Sequence, residues 1–160
     1  MRFRPNFSAS VYLAIAAVVC SSSGCESRSA PKALGSAATL ELQLVSATNE
    51  PNSRQATDLN SDATIYLTSP PVITSADVAT VQRSEDSQQR PSLTVNLTPT
   101  GAKKLVTATT PATGQKLAVV ANGEVISVAT VYSPLSNSLQ ISGGPVQQDR
   151  ERIFESLTKD

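Results

Sequence analysis

The sequence of 160 residues contains no histidine, no tryptophan and only two cysteines, and aromatic residues make up 4% of it. Without histidine, neither a Ser-His-Asp triad nor a Cys-His pair can be assembled for nucleophilic catalysis. The cysteines are too few for a thiolate metal site. We therefore expect no catalytic residue, no cofactor-binding residue and no metal ligand, and a protein that is not an enzyme.

The sequence also has no excess of either charge, because 13 basic residues balance 13 acidic ones. A basic patch is the electrostatic footprint of a nucleic-acid-binding protein, and no such patch is visible in the sequence. We therefore expect no nucleic-acid partner.

The first 24 residues have the three-part organisation of a secretory signal peptide. Arg2 and Arg4 precede an apolar stretch over residues 11–19, and small residues follow it. The stretch is too short to cross a bilayer as a mature helix. Residues 22–25, Ser-Ser-Gly-Cys, resemble a bacterial lipobox, although the usual Leu is replaced by Ser22.

The lipobox resemblance implies a lipoprotein signal peptide over residues 1–24 and a lipid on Cys25. That lipid would be the membrane partner, on the extracytoplasmic side of the bacterial cell envelope. The alternative is ordinary secretion with cleavage near Gly24 and a free Cys25. Cys20 is a weaker lipid acceptor, since Val19 before it is not small.

Beyond the signal peptide, the chain divides into a tether and one domain. Residues 25–37 are small and polar and include Pro31 and Gly35, a composition typical of a flexible tether. Residues 38–160 carry the apolar patterns of secondary structure and form the predicted domain.

The dipeptide Asn122-Gly123 lies between two runs of β-favouring residues. Both residues suit the positive φ angles of a type I′ turn, so the sequence predicts a hairpin turn at Asn122 and Gly123. Because both faces of the hairpin are mostly apolar, we expect it in the middle of a sheet. A two-residue loop predicts the pairs Ala121–Glu124, Val119–Ile126 and Leu117–Val128.

The remaining patterns predict further strands and three helices. Alternating apolar residues predict strands over 38–47, 65–67, 93–97 and 139–142. Capping residues and helical spacing predict helices over about 75–82, 99–110 and 145–157, and the polar stretches 49–62 and 83–91 are predicted loops. The order predicts an α+β fold, a mainly antiparallel sheet with helices packed on one face and the Asn122-Gly123 hairpin at its centre.

Three local patterns have the superficial form of a functional site. Glu85-Asp86 is an adjacent acidic pair, but a general acid needs an apolar surrounding, and a solvated loop is expected here. Lys116 and Ser127 are expected near each other across the hairpin only as a consequence of register. Residues 101–104, Gly-Ala-Lys-Lys, lack phosphate-loop spacing and indicate a pair of surface lysines.

A set of short segments occurs in a fixed order, at residues 66–67, 71–77, 95–97, 101–105, 109–114, 116–123, 125–127 and 141–143. Together they resemble the head subdomain of the first periplasmic region of SecD, in the SecDF protein-export family. The resemblance covers residues 64–158, with Asn122 where that family tends to have Asp. It implies the head fold as a stand-alone lipoprotein, without the multi-helix membrane domain of SecD.

This resemblance and the absence of catalytic groups predict a non-enzymatic, lipid-anchored envelope domain. The expected partners are the membrane, through Cys25, and unfolded or translocating polypeptide or the Sec machinery. Polypeptide would bind through a sheet edge or the groove beside it. The alternative is a structural envelope lipoprotein that keeps the fold but has no export role.

Overall fold

The computed structural model describes residues 30–59 and 61–160, so the predicted signal peptide and Cys25 lie outside the described residues. Within these ranges the chain forms eight strands, one 3₁₀ turn and two helices. In chain order they are β1 Leu40–Ser46, β2 Ser53–Asp58, β3 Ala63–Thr68, the 3₁₀ turn Ser75–Asp77, β4 Val78–Glu85, β5 Pro91–Leu97, α1 Pro99–Thr109, β6 Lys116–Ala121, β7 Glu124–Thr130, β8 Ser138–Ser142 and α2 Gly144–Thr158.

The strands form two antiparallel sheets. The larger has the order β2-β3-β1-β6-β7 and the smaller has the order β4-β5-β8. Although β2 and β7 stand at opposite ends of the larger sheet, they contact each other, so this sheet curls around its concave face. These antiparallel sheets and the two helices confirm the predicted α+β fold.

The main core lies between the two sheets and beneath both helices. Leu105 enters it from α1, and Ile153, Phe154 and Leu157, which share one face of the helix, enter it from α2. A smaller core fills the concave face of the larger sheet. Each face of β6 meets a different core, which explains why both faces are apolar. The smaller core consists of Ile65, Leu67, Ala118, Val120 and Val125.

The predicted hairpin turn is confirmed, with φ of 49° at Asn122 and 87° at Gly123. The predicted register is wrong beyond the turn, because a β-bulge between Val119 and Val120 pairs Leu117 with Ala129. The bulge turns Val128 towards the smaller core, while Ile126 stays in the main core. The hairpin is also not central: β6 is internal, but β7 is an edge strand.

The helix predicted over residues 75–82 is wrong. Only the 3₁₀ turn Ser75–Asp77 forms, and β4 follows directly. Val78, Thr80 and Val81 are β-branched and favour an extended backbone, and β4 pairs with β5 along its length. The capping residues thus indicate a turn but not a helix that continues beyond it.

Two predicted loops contain strand residues. The loop predicted over 49–62 includes β2, and the loop predicted over 83–91 includes the last residues of β4. In β2, Arg54 and Gln55 are exposed and only Ala56 is a partly buried apolar residue. Backbone pairing with β3 holds this strand in place. Because the pairing does not depend on apolar side chains, the sequence of β2 carries no apolar pattern from which the strand could be predicted.

Part of the predicted tether, residues 25–37, packs on the predicted domain. The backbone N–H of Lys32 donates to Val81 O at 2.8 Å, and the N–H of Val81 donates to Lys32 O at 2.7 Å. Leu34 packs against the main core, and the N–H of Gly35 donates to Leu157 O at 2.9 Å. Residues 32–36, the N-terminal arm, therefore contact β4, the main core and the end of α2.

Asn122 connects the hairpin turn to both ends of the domain. Its backbone N–H donates to Thr39 O and its Oδ1 accepts from the N–H of Thr39, each at 2.9 Å. Its Nδ2 donates to Ser156 Oγ at 3.2 Å, near the end of α2. The turn residue therefore has a role beyond its positive φ.

Two substitutions separate these roles of Asn122. Asn122→Gly retains the backbone conformation but loses every side-chain bond, and we expect it to lower the free energy of unfolding by about 1 kcal/mol. Asn122→Asp retains the acceptor for Thr39 but cannot donate to Ser156, so we expect about half that loss. Urea unfolding measures both, and a glycine variant as stable as the wild type would contradict the expectation.

Candidate functional site

A cleft of about 700 Å³ opens at one end of the larger sheet, between β1, β3 and the start of β6. It lies beside the short pairing of β1 with β3, whose only partners are Val45–Leu67 and Ser46–Tyr66. The hydroxyl of Thr68 donates to Leu44 O at 3.1 Å and connects the two strands at this point. We call this the β1–β3 cleft.

The β1–β3 cleft is amphipathic. Its apolar lining comes from Leu44, Val45, Ala47 and Ile65 with the ring of Tyr66, and its polar lining comes from Ser46, Glu50, Thr64, Thr68, Gln115 and Lys116. The volume lies within the range typical of ligand sites, about 300–1,000 Å³. Carboxylate, ammonium, hydroxyl and amide groups beside an apolar surface can bind both the backbone and the apolar side chains of an extended chain.

Asp77 is the most deeply buried acid among the described residues, with 4% of its surface exposed. Both carboxylate oxygens accept from Lys104 Nζ, at 2.8 and 3.0 Å, and Oδ2 also accepts from the N–H and Oγ1 of Thr74 at 3.2 Å. Burial raises the pKa of this carboxyl, but the hydrogen bonds from Lys104 and Thr74 outweigh it and hold the pKa below its usual value. Asp77 is therefore ionised and unsuited to act as a general acid.

The same contacts join α1 to the 3₁₀ turn. Thr98 caps α1 by accepting from the N–H of Gly101 at 3.1 Å, and its own N–H donates to Asp77 O at 2.9 Å. A Cβ at Gly101 would lie 2.5 Å from Asp77 O, so no larger residue fits without a shift. Two of the segments that resemble the SecD head, 71–77 and 101–105, thus contact each other as one structural joint. Lys104 is consequently an ion-pair partner, although its side chain is 51% exposed.

The family model of the SecDF P1 head subdomain matches residues 50–154, which is more than half of the chain. The chain belongs to the SecDF P1 head family. Its resemblance to the SecD head is thereby confirmed.

Two solved structures are similar to this P1 head. One is of SecDF, described as a membrane component that enhances protein export. Its sequence is 25% identical to this chain, the TM-score is 0.59, and the match covers 62% of the SecDF chain. The other is SecDF in a super-membrane-facing form, with the same identity and TM-score and 18% of its chain covered. Each match covers 76% of this chain. The chain thus spans less than two thirds of the first structure. No curated protein matches this chain.

In this P1 head, Glu85 is the last residue of β4, and Asp86 lies in the turn between β4 and β5. Asp86 Oδ1 accepts from the backbone N–H groups of Gln88 at 2.9 Å and Arg90 at 3.0 Å. Hydrogen bonds from Arg90 hold the pKa of Asp86 below its usual value. The carboxylate therefore organises a turn, in agreement with its predicted position outside any apolar pocket.

The other suspected pair is not formed. Lys116 pairs with Thr130 and Ser127 pairs with Val119, so the bulged register separates the lysine from the serine. Across residues 30–59 and 61–160, no three acidic or thiol side chains gather into a metal site. In the same part of the P1 head, no helix is long and apolar enough to cross a membrane.

The sequence reasoning missed the β1–β3 cleft. Its lining comes from residues 44–50, 64–68 and 114–116, three segments with no motif in common. One available signal was the opposite charge of Glu50 and Lys116, which has meaning only once the strand order is known.

Proposed function

We propose that this chain is a non-enzymatic, lipid-anchored domain of the bacterial cell envelope that binds polypeptide on the extracytoplasmic side and assists protein export. The family match over residues 50–154 carries this proposal. The related SecDF is described as enhancing protein export, and polypeptide is the material that such a process moves. The lipid on Cys25 would keep the domain at the membrane surface.

The β1–β3 cleft supplies a binding site of the required chemistry. In an extended chain, alternate side chains point to the same side, so apolar residues at every second position could face the apolar lining of the cleft. The backbone between them would meet the hydroxyl and amide groups of Thr64 and Gln115 at the polar lining. Binding of this kind requires no reacting group and favours unfolded over folded polypeptide.

The anchor is tested by metabolic labelling with a fatty-acid analogue in a bacterial host. We expect the wild-type chain to incorporate the label and to fractionate with membranes. Cys25→Ser should do neither, because it lacks the thiol that carries the lipid, whereas Cys20→Ser should behave as the wild type. Equal labelling of Cys25→Ser and the wild type would contradict the anchor while leaving the binding role untouched.

The cleft is tested by filling it. Thr64 is exposed and lines the β1–β3 cleft, so Thr64→Trp should obstruct it and weaken binding of a reduced, alkylated protein about tenfold or more. Thr107→Trp is the matched control, on the exposed surface of α1. Fluorescence anisotropy with the labelled unfolded protein measures both, and equal affinity of Thr64→Trp and the wild type would contradict binding in this cleft.

A gene deletion distinguishes the export role from a purely structural one. A secretion defect that the wild-type chain restores and Thr64→Trp does not restore would support the proposal. An envelope-integrity defect with normal secretion would favour the structural lipoprotein.

A further inference from the structure

The outer edge of β4 holds an extended segment of the chain itself. β4 is an end strand of the smaller sheet, with β5 on its other side. At the outer edge Lys32 and Val81 form an antiparallel bridge with two reciprocal N–H···O bonds, of 2.8 and 2.7 Å. These are the closely spaced bonds of an antiparallel ladder. The β4 edge therefore accepts an extended backbone in the antiparallel direction.

The N-terminal arm is secured by few contacts. Among the described residues, its ladder contact with β4 is the single bridge at Lys32, whereas β5 pairs with β4 along its length. Beyond the bridge, the Lys32 ammonium lies 5.8 Å from the centre of the Phe154 ring, and Leu34 packs partly buried against the main core. The N–H groups of Gly35 and Ser36 donate to Leu157 O and Asp160 Oδ1. Segments with so few contacts open at a much lower free energy than the core strands.

We propose that the β4 edge is a second docking site for extended polypeptide and that the N-terminal arm is its built-in occupant, which bound polypeptide displaces. The class of ligand rests on the proposed function, but the site is separate from the β1–β3 cleft. Recognition at a strand edge uses backbone N–H and C=O groups, which every polypeptide carries. The occupant seen in the structure is itself a peptide, which favours peptide over other ligands.

The arm also indicates a sequence preference for the displacing segment. Leu34 stands two residues after the bridged Lys32 and contacts the main core, so a competitor needs an apolar residue at that position. The next position has no room, because a Cβ at Gly35 would lie 2.2 Å from Lys159 O. A segment with an apolar residue followed by glycine should therefore displace the arm most effectively.

Opening the arm in the full-length mature chain tests the proposal. Gly35→Val should release the arm, since its side chain would overlap the backbone of Lys159. Ala33→Val places the same valine side chain at an exposed position of the arm and is the matched control. The probe is a fluorescein-labelled peptide of residues 30–38, and a second peptide with Leu34 replaced by Asp controls for apolar anchoring.

We expect Gly35→Val to bind the peptide of residues 30–38 at least about tenfold more tightly than the wild type. In the wild type, the apparent affinity is reduced in proportion to the fraction of molecules whose arm is open. Ala33→Val should bind as the wild type does, and the Asp-containing peptide should bind neither variant. Thr64→Trp introduced together with Gly35→Val should leave this affinity unchanged. Failure of the β1–β3 cleft would thus be seen separately from failure of the β4 edge.

Hydrogen exchange at the N–H of Val81 provides the second readout. Exchange should be faster in Gly35→Val than in the wild type and slow again when the peptide is added. If Gly35→Val does not fold, Asp160→Ala removes only the acceptor of the Ser36 N–H, and the same faster exchange is expected from it. The proposal is overturned if Val81 exchanges fast and the peptide neither binds nor slows it, or if exchange at Val81 is no faster in either variant.

Discussion

Phe154→Ala should lower the free energy of unfolding by about 4 kcal/mol, the typical cost of truncating a buried phenylalanine. Phe154 is 1% exposed and lies in α2, where it enters the main core between the two sheets. The guanidinium carbon of Arg83 also lies 4.0 Å from the centre of its ring, so the variant loses a cation–π contact. Since domains are stable by only about 5–15 kcal/mol, a large share of the native stability depends on this ring.

Tyr132→Ala is the matched control for Phe154→Ala. Tyr132 is 85% exposed, so its truncation removes an aromatic ring of similar size without opening a cavity. We expect a change within about 0.5 kcal/mol. Urea unfolding followed by circular dichroism measures both variants, and similar losses in the two would show that α2 does not pack as described.

Asp77→Ala should lower the free energy of unfolding by about 2–3 kcal/mol at neutral pH. The substitution removes the acceptor of hydrogen bonds from Lys104 and Thr74, and bonds to a charged group contribute about 1.5–3 kcal/mol. Asp77→Asn keeps the shape and one acceptor oxygen, so its loss should be smaller. Lys104→Met should also destabilise the domain, whereas Lys103→Met should not, because Lys103 has no part in this joint.

The effect of Asp77 should depend on pH with a definite sign. Its folded-state pKa lies below the value of about 3.9 expected for the unfolded chain, because hydrogen bonds favour the charged form despite burial. The carboxylate therefore contributes its full stabilisation above the unfolded pKa and loses it as the pH falls through the folded pKa. Wild type and Asp77→Asn should differ by a constant amount from about pH 5 to 8 and converge in stronger acid. A difference that grows below pH 4 would contradict this assignment.

Local chemistry was sufficient to predict the hairpin turn but not the register of its strands. The positive φ values follow from the residue types of Asn122 and Gly123 alone. The bulge between Val119 and Val120 depends instead on two separate cores, since Ile126 faces one and Val128 faces the other. A periodicity of two cannot show where an apolar strand changes from one core to the other.

Tertiary pairing also determined the elements that the sequence did not predict. β2 has little apolar surface and is held by its backbone hydrogen bonds to β3. β4 forms where capping residues had indicated a helix, because the segment pairs with β5. The role of Gly101 was likewise hidden, because the group that excludes a side chain, Asp77 O, lies 24 positions earlier in the sequence. The resemblance to the SecD head named both segments without showing that they touch.

The chain enters and leaves the folded unit at neighbouring points, since Gly35 bonds to Leu157 and Ser36 bonds to Asp160. A unit with adjoining termini can be carried as an insertion in a surface loop of a larger host, because the host backbone needs to open by only a small gap. The same adjacency makes circular permutation feasible, with a short peptide joining residue 35 to residue 160 and new ends opened at an exposed turn. The folded unit could therefore be inserted into another protein without a change to its own fold.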